Sequence, residues 1–413
     1  MARQIARALT LSTALVTLAS GSAFAQLYQN ITPNVGVADR DRPDYDPLGI
    51  RTGGFLLTPS ITVEELYDSN VFADDDDEED DFATIVSPRL SLESQFSRHA
   101  LNFSAGADGA AYYSTDENNY IDAFGQASGQ LDVGRANSLS GSVRVARGHQ
   151  DRDDSDIETS ELADQNDEDV TVFYTANTNV FWRQQFNRLY YRVGASALRR
   201  DYEDGEDADR DRIEYSPTVE VGYSISPRFD VFTRGVYRMM RYDQSEQEDR
   251  EFDGYQLLVG SNIDLTSLIF GTVYVGYEQA NFDGDTYDDI DGVSFGGGLT
   301  YNVTRLTSVT LSGQRQVQPT QRTESGGNQE TTADLRVDHE LLRNVILNGR
   351  VGWEQDDFED TTDDTYRAGA GVSYLINRNF RLSLDYTFST RDSDESDREY
   401  DRNQILLGLR AAL

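Results

Sequence analysis

Residues 380–388 read Phe380-Arg381-Leu382-Ser383-Leu384-Asp385-Tyr386-Thr387-Phe388. Every even-numbered residue is apolar and every odd-numbered one is polar, a period of two that places the two sets on opposite faces of an extended strand. The same alternation recurs elsewhere. Val293, Phe295, Gly297, Leu299, Tyr301 and Val303 interleave with Ser294, Gly296, Gly298, Thr300 and Asn302, and Leu335 and Val337 with Asp334, Arg336 and Asp338. A soluble sheet would turn its apolar face into a core. A large membrane barrel inverts this, with the apolar face on lipid and the polar face on a lumen.

Two kinds of punctuation separate these segments. At one end lie very short turns near Arg98, Arg135, Arg188, Arg228, Ser267, Arg305, Arg343 and Arg378, spaced by 37, 53, 40, 39, 38, 38 and 35 residues. Two strands and one longer loop fill such a period. At the other end lie loops at about 73–81, 114–119, 150–169, 201–211, 243–251, 281–291, 318–330, 354–364 and 391–401, which together hold 52 of the 73 Asp and Glu. The short turns hold no acid at all. Tight connections on one side and long ones on the other mark a bacterial outer-membrane barrel, whose short turns face the periplasm and whose long loops face the medium. Eighteen strand-like segments can be counted, from 55–69 to 402–413, and their even number returns both ends to the periplasmic side. The expected fold is thus all-β: a transmembrane antiparallel β-barrel of about 18 strands with short periplasmic turns and longer acidic extracellular loops. A β-helix would need a repeat much shorter than one hairpin.

Composition bounds the function. The net charge is −37 and the mean hydropathy −0.59, and all 36 basic residues are Arg. So acidic a chain is not expected to bind nucleic acid. No apolar run approaches the roughly 18 residues of a membrane helix. Residues 1–25 read as a secretory signal peptide: Arg3 and Arg7, an apolar stretch over Ala8 to Ala19, then Ala23-Phe24-Ala25 before Gln26. The absence of Cys excludes thiol chemistry and thiolate metal sites. Residues 26–54, with Pro33, Pro43 and Pro47, have no clean period and read as a periplasmic extension, a candidate lumen plug; the barrel occupies 55–413.

Nothing in the pattern calls for an enzyme or a cofactor. The three histidines are dispersed, with His99 in a turn, His149 at a strand end and His339 on a strand. No phosphate-binding Gly loop is present. The acidic loops offer hard oxygen ligands for divalent cations, as in Asp74 to Asp81, but without the spacing of a dedicated calcium loop. The candidate site is the lumen. By alternation, Arg144, Arg192, Arg234, Arg238, Arg336, Arg350, Arg381, Glu220, Asp338 and Asp385 are candidate pore-lining residues. Across all strands, eleven arginines and twelve carboxylates are expected to point inward, a nearly balanced wall. Two readings of it stand: a polar channel whose guanidiniums meet carboxylate or sulfate on a solute, or cross-strand ion pairs that stiffen the sheet.

Two stretches carry a family resemblance. One is Glu64-Glu65-Leu66-Tyr67-Asp68-Ser69-Asn70-Val71-Phe72. The other is Arg398-Glu399-Tyr400-Asp401-Arg402-Asn403 leading into Ile405-Leu406-Leu407-Gly408-Leu409. They resemble the outer-membrane β-barrel porin family linked to exopolysaccharide operons, the EpsL-like β-barrel porin 2 group, from about residue 55 onward. Leu413 departs from the pattern, standing where such barrels commonly end in an aromatic residue. The resemblance implies a Gram-negative outer-membrane location and a conduit for secreted polysaccharide. Its implied partners are outer-membrane lipid and lipopolysaccharide, the barrel-insertion machinery and periplasmic polysaccharide-export proteins. A general diffusion porin for small hydrophilic solutes, or a structural barrel whose acidic loops bind cations or a partner, are the alternatives.

Overall fold

The computed structural model describes residues 35–76, 78–156, 169–203, 207–244, 249–265, 268–322 and 325–413; the signal peptide expected over 1–25 lies outside them. A three-residue strand β1 (Ile50–Thr52) precedes eighteen long ones: β2 (Phe55–Asp68), β3 (Asp81–Ser94), β4 (Ala100–Tyr112), β5 (Tyr120–Val133), β6 (Asn137–His149), β7 (Val172–Phe186), β8 (Leu189–Tyr202), β9 (Arg212–Ser226), β10 (Phe229–Tyr242), β11 (Phe252–Leu265), β12 (Ile269–Phe282), β13 (Ile290–Thr304), β14 (Thr307–Pro319), β15 (Gly327–Leu342), β16 (Val345–Asp357), β17 (Thr362–Leu375), β18 (Phe380–Ser393) and β19 (Tyr400–Ala412). From β2 onward each strand pairs antiparallel with the next, and β19 pairs with β2, closing the barrel. Closure satisfies every ladder inside the chain, which a hydrocarbon surrounding demands.

The alternation decides which face is which. Leu382, Leu384 and Tyr386 are exposed on the outer surface, as are Ile405, Leu407 and Leu409. Their polar neighbours Arg381, Ser383 and Asp385 line the interior. Strand limits follow the expected ones to within four residues. The largest extension is at β15, where Pro319 pairs with Gly327 at the outer end of the β14–β15 hairpin. Glycine has a specific task at β12–β13. Gly271 and Gly297 hold φ of +148° and +138°, and a Cβ on either would strike a carbonyl of the adjoining strand.

The seam between first and last barrel strands is clasped by buried polar groups. Asp68, fully buried, accepts from Arg402 Nε at 2.9 and 3.0 Å and from Gln404 Nε2 at 2.8 Å. Asn70 donates to the carbonyls of Asp74 and Asp401 at 2.7 and 3.1 Å. The Asn403 amide donates to Ser69 Oγ at 2.8 Å. Both sequence stretches that carried the family resemblance therefore meet at this one junction.

Three segments enter the barrel. Residues 35–49 lie against its periplasmic end, with Val37 buried and its amide on Ser308 Oγ at 2.8 Å, and Arg42 paired with Glu340 at 3.2 Å. From the outer end, residues 150–156 and 319–322 descend into the lumen. The expectation that the acidic loops all face the medium fails for residues 150–156, where Asp151, Asp153 and Asp156 meet His149, Arg402 and Thr320.

Candidate functional site

The outer half of the lumen is filled. Inward-facing Met240, Tyr242, Phe252, Ala280, Phe282 and Val317 form a hydrophobic cluster near the outer ends of β10–β14. Each fully buried side chain of this size contributes roughly 1.5–3 kcal/mol. Above it, Arg250 donates to the carbonyls of Thr320, Gln321 and Arg322 at 2.8–3.3 Å and fixes that turn. Arg322, fully buried, lies over the Phe358 ring at 3.6 Å, ion-pairs with Asp363 and donates to the Ser155 carbonyl at 2.7 Å. Ser155 Oγ donates to Asp356 at 2.7 Å, and the Gln321 amide to Asp156 at 2.8 Å.

The acidic arm 150–156 is thus held by basic and hydroxyl groups of distant strands. Asp153 pairs with Arg402 at 3.6 Å and accepts from Tyr400 at 3.3 Å. Burial presses its carboxyl upward, yet the Arg402, Arg367 and Arg391 guanidiniums hold it below the ordinary value. Burial and the nearby Asp156 charge push Asp154 up to about 6, and burial also raises Asp151. His149 ties the arm to the wall. It lies 3.0 Å from Asp122 and 3.4 Å from Asp151, stacked on the Tyr120 ring at 3.8 Å.

The inner half is open. A cavity of about 590 Å³ reaches from the 35–49 segment to mid-barrel, and a second of about 110 Å³ lies outward of it, beneath the arm. The two share Arg350 and Asp385 in their walls. Of the candidate pore-lining residues, Arg144, Arg192, Arg336, Arg350, Arg381 and Asp385 line the inner cavity. The other four stand apart. Glu220 and Arg234 form a buried pair at 2.8 Å, Arg238 pairs with Glu278 at 2.8 Å, and Asp338 is buried against Arg336 at 3.0 Å. Among these residues, cross-strand ion pairs gather at Glu220, Arg234 and Arg238, and cavity-facing arginines at the inner end of the lumen, with Arg336 in both sets.

Ten arginines and seven carboxylates line the inner cavity, two of the arginines, Arg42 and Arg336, being paired with Glu340 and Asp338 just outside the lining; three of each line the outer compartment. Arg381 and Arg410 face each other in register across β18–β19, with Arg42 and Asp46 beside them. Farther round the wall, Arg89 is held by Asp108 at 2.6 Å, whereas Arg144 rests on the Phe124 ring at 4.3 Å, with Gln126 at 3.5 Å. An aromatic face leaves a guanidinium's charge unneutralised. The balanced inward count read from the strands concealed this separation, because the turns and arm that divide the lumen have no strand period.

On the outside, Asp201, Asp211 and Asp243 bring three carboxylates together. Arg199 bridges two of them, donating to Asp201 and Asp243 at 2.7 Å each and holding Asp243 below its ordinary value. That guanidinium already supplies charge that a cation would bring. His99 accepts from the Asp132 amide at 3.2 Å, and His339 lies 2.9 Å from the Thr307 hydroxyl, each far from His149.

No curated protein is matched by the sequence. Among solved structures, Pseudomonas aeruginosa OpdK with vanillate aligns with a TM-score of 0.47 and 11% identity over 86% of this chain and 99% of that one. A BenF-like porin from Pseudomonas fluorescens Pf-5 aligns at 0.46 and 11%, over 86% and 99%. Pseudomonas aeruginosa OprD aligns at 0.44 and 12%, over 92% and 99%. The family model described as "Putative beta-barrel porin 2" matches residues 42–413, nearly the whole described chain, and the protein belongs to that family of outer-membrane β-barrel porins.

Proposed function

We propose that this outer-membrane channel passes small, hydrophilic, anionic solutes. The observation that carries the reading is the inner cavity: about 590 Å³, lined by more arginines than carboxylates, and narrowing beneath the acidic arm to about 110 Å³. A wide entrance and a narrow exit suit a solute of a few heavy atoms to one sugar. Guanidiniums such as Arg381, Arg410 and Arg144 offer paired donors to a carboxylate or sulfate. Family and fold indicate a channel rather than an enzyme.

Planar-bilayer recording tests this. Under a salt gradient the reversal potential is expected on the anion side. Gluconate should block the current and a neutral sugar should not. Arg381→Gln with Arg410→Gln should move the reversal potential toward zero. A barrel that never conducts, or one that prefers cations, would sink the proposal.

Export of an exopolysaccharide is the second reading, favoured by the resemblance at residues 64–72 and 398–409. A polymer strand would require the 150–156 arm to leave the lumen. Secreted polysaccharide unchanged on gene deletion would end that reading. The acidic exterior loops remain proposed cation contacts, testable by calcium titration of the intact barrel.

A further inference from the structure

We infer that the periplasmic rim is a binding ring for the phosphate groups of anionic phospholipids in the inner leaflet. Arg98, Arg135, Arg188, Arg228, Arg305, Arg343 and Arg378 stand one per hairpin turn, and all seven are exposed. They project from one end of a closed barrel, so they form a circle, with neighbouring hairpins two inter-strand spacings, roughly 10 Å, apart. No carboxylate lies in these turns. Among the described residues none of the seven has an ion pair; Arg98 and Arg378 reach only backbone carbonyls, of Asp132 and Pro43.

What commits the ring to lipid is the company each arginine keeps. Phe186 and Leu189 flank Arg188, Val303 and Leu306 flank Arg305, and Leu341 and Leu342 precede Arg343, all exposed on the outer surface. Ile225 precedes Arg228, and Ile376 and Phe380 bracket Arg378 in the same way. Arg188, Arg228, Arg305 and Arg343 therefore sit at the last step of the lipid-facing belt, where acyl chains give way to headgroups, while Arg378, which also lines the inner cavity, stands on the lumen side of the same rim. An arginine there lays its methylenes on the apolar surface and presents its charge to the polar layer. Its planar fork of donors matches a phosphate oxygen pair. Basic residues clustered at this depth draw anionic lipid. An acidic soluble partner would not need apolar residues beside these charges.

The test is native mass spectrometry of the full barrel, extracted in detergent and offered phosphatidylglycerol and phosphatidylcholine in equal amounts. Severalfold more phosphatidylglycerol is expected on the wild type. That excess should fall at least threefold when all seven arginines become Gln, and should survive when they become Lys, since charge is the larger part of the attraction. Should the sevenfold variant fail to fold, Arg188→Gln with Arg228→Gln and Arg305→Gln should lose part of the excess, and added salt should erase it from the wild type. Equal retention of the two lipids, or an excess that Gln leaves untouched, would overturn the assignment. So would binding of anionic cell-wall fragments with no preference between lipids.

Discussion

The outer and inner halves of the lumen are walled by the same strands and by the same kinds of residue, yet they are built for opposite ends. In the outer half, Arg322 and Arg402 are consumed by Asp363, Asp68 and Asp153, and an apolar cluster takes the remaining space. In the inner half, Arg144 and Arg381 face a cavity. Charge in a barrel wall becomes structural where a neighbouring strand or an entering loop brings it a counterion, as at Arg234 with Glu220 and Arg402 with Asp68 and Asp153, and stays turned to the cavity where neither does.

The heaviest test of the contrast is Arg322→Ala. It removes the arginine through which the 319–322 turn holds the arm's Ser155 carbonyl, and leaves Asp363 charged and buried. A loss of about 3–5 kcal/mol is expected. Conductance should rise severalfold as the arm loosens, and unchanged conductance would show that the arm does not restrict the passage. Met240→Ala, in the apolar cluster, should cost about 2–5 kcal/mol by opening a cavity. The same truncation at lipid-facing Leu409 should cost clearly less, because lipid refills the space. Equal costs, read from the heat-induced shift of the barrel's gel mobility, would erase the distinction between a packed interior and a lipid-bathed exterior.

Acidity sharpens the comparison further. Asp154 is pushed up to about 6 in the folded protein, against roughly 3.9 in an unfolded chain. Between those values the folded state holds more protons, so the contribution of this group weakens as pH rises through the window. Asp151, also raised, acts in the same direction. Asp153, held low, contributes the other way, and only in more acidic solution. The arm should therefore be docked more firmly near pH ~5 than near pH ~7, with smaller conductance at the lower value. Asp154→Asn should shrink that step, and a step left at full size in the variant would move its cause elsewhere. The smallest effect is expected outside the lumen: Arg199→Gln breaks an exposed pair with Asp201 and Asp243, worth about 0–1 kcal/mol, and should leave conductance unchanged.

Most of the barrel was legible in the sequence because its decisive signal is local. Alternation over 380–388 needs only neighbouring residues, and it placed β18 to within three positions of its observed end. The arm was not legible. Gln150 to Asp156 has the composition of a solvated loop, and what draws it inward lies about 200 residues away, at Asp356 and Arg398. The apolar cluster was half-visible. Met240 and Tyr242 continue the inward phase of Arg234 and Arg238, a pattern that announces a filled lumen once apolar residues are admitted to that face. The vestibule's surplus of arginine emerged only when the lumen had been divided, since Arg234 and Arg238 are neutralised in the wall.

The clasp at Asp68 and Arg402 joins positions 334 residues apart. Until the last strand is in place, β2 presents a bare edge of unpaired amides and carbonyls, as does whichever strand happens to be terminal. Such edges recruit other chains. A prematurely shortened copy is therefore expected to be an adhesive open sheet and not a smaller, weaker pore, and the integrity of the whole rests on a carboxylate that must wait for nearly the entire polypeptide before it meets its guanidinium.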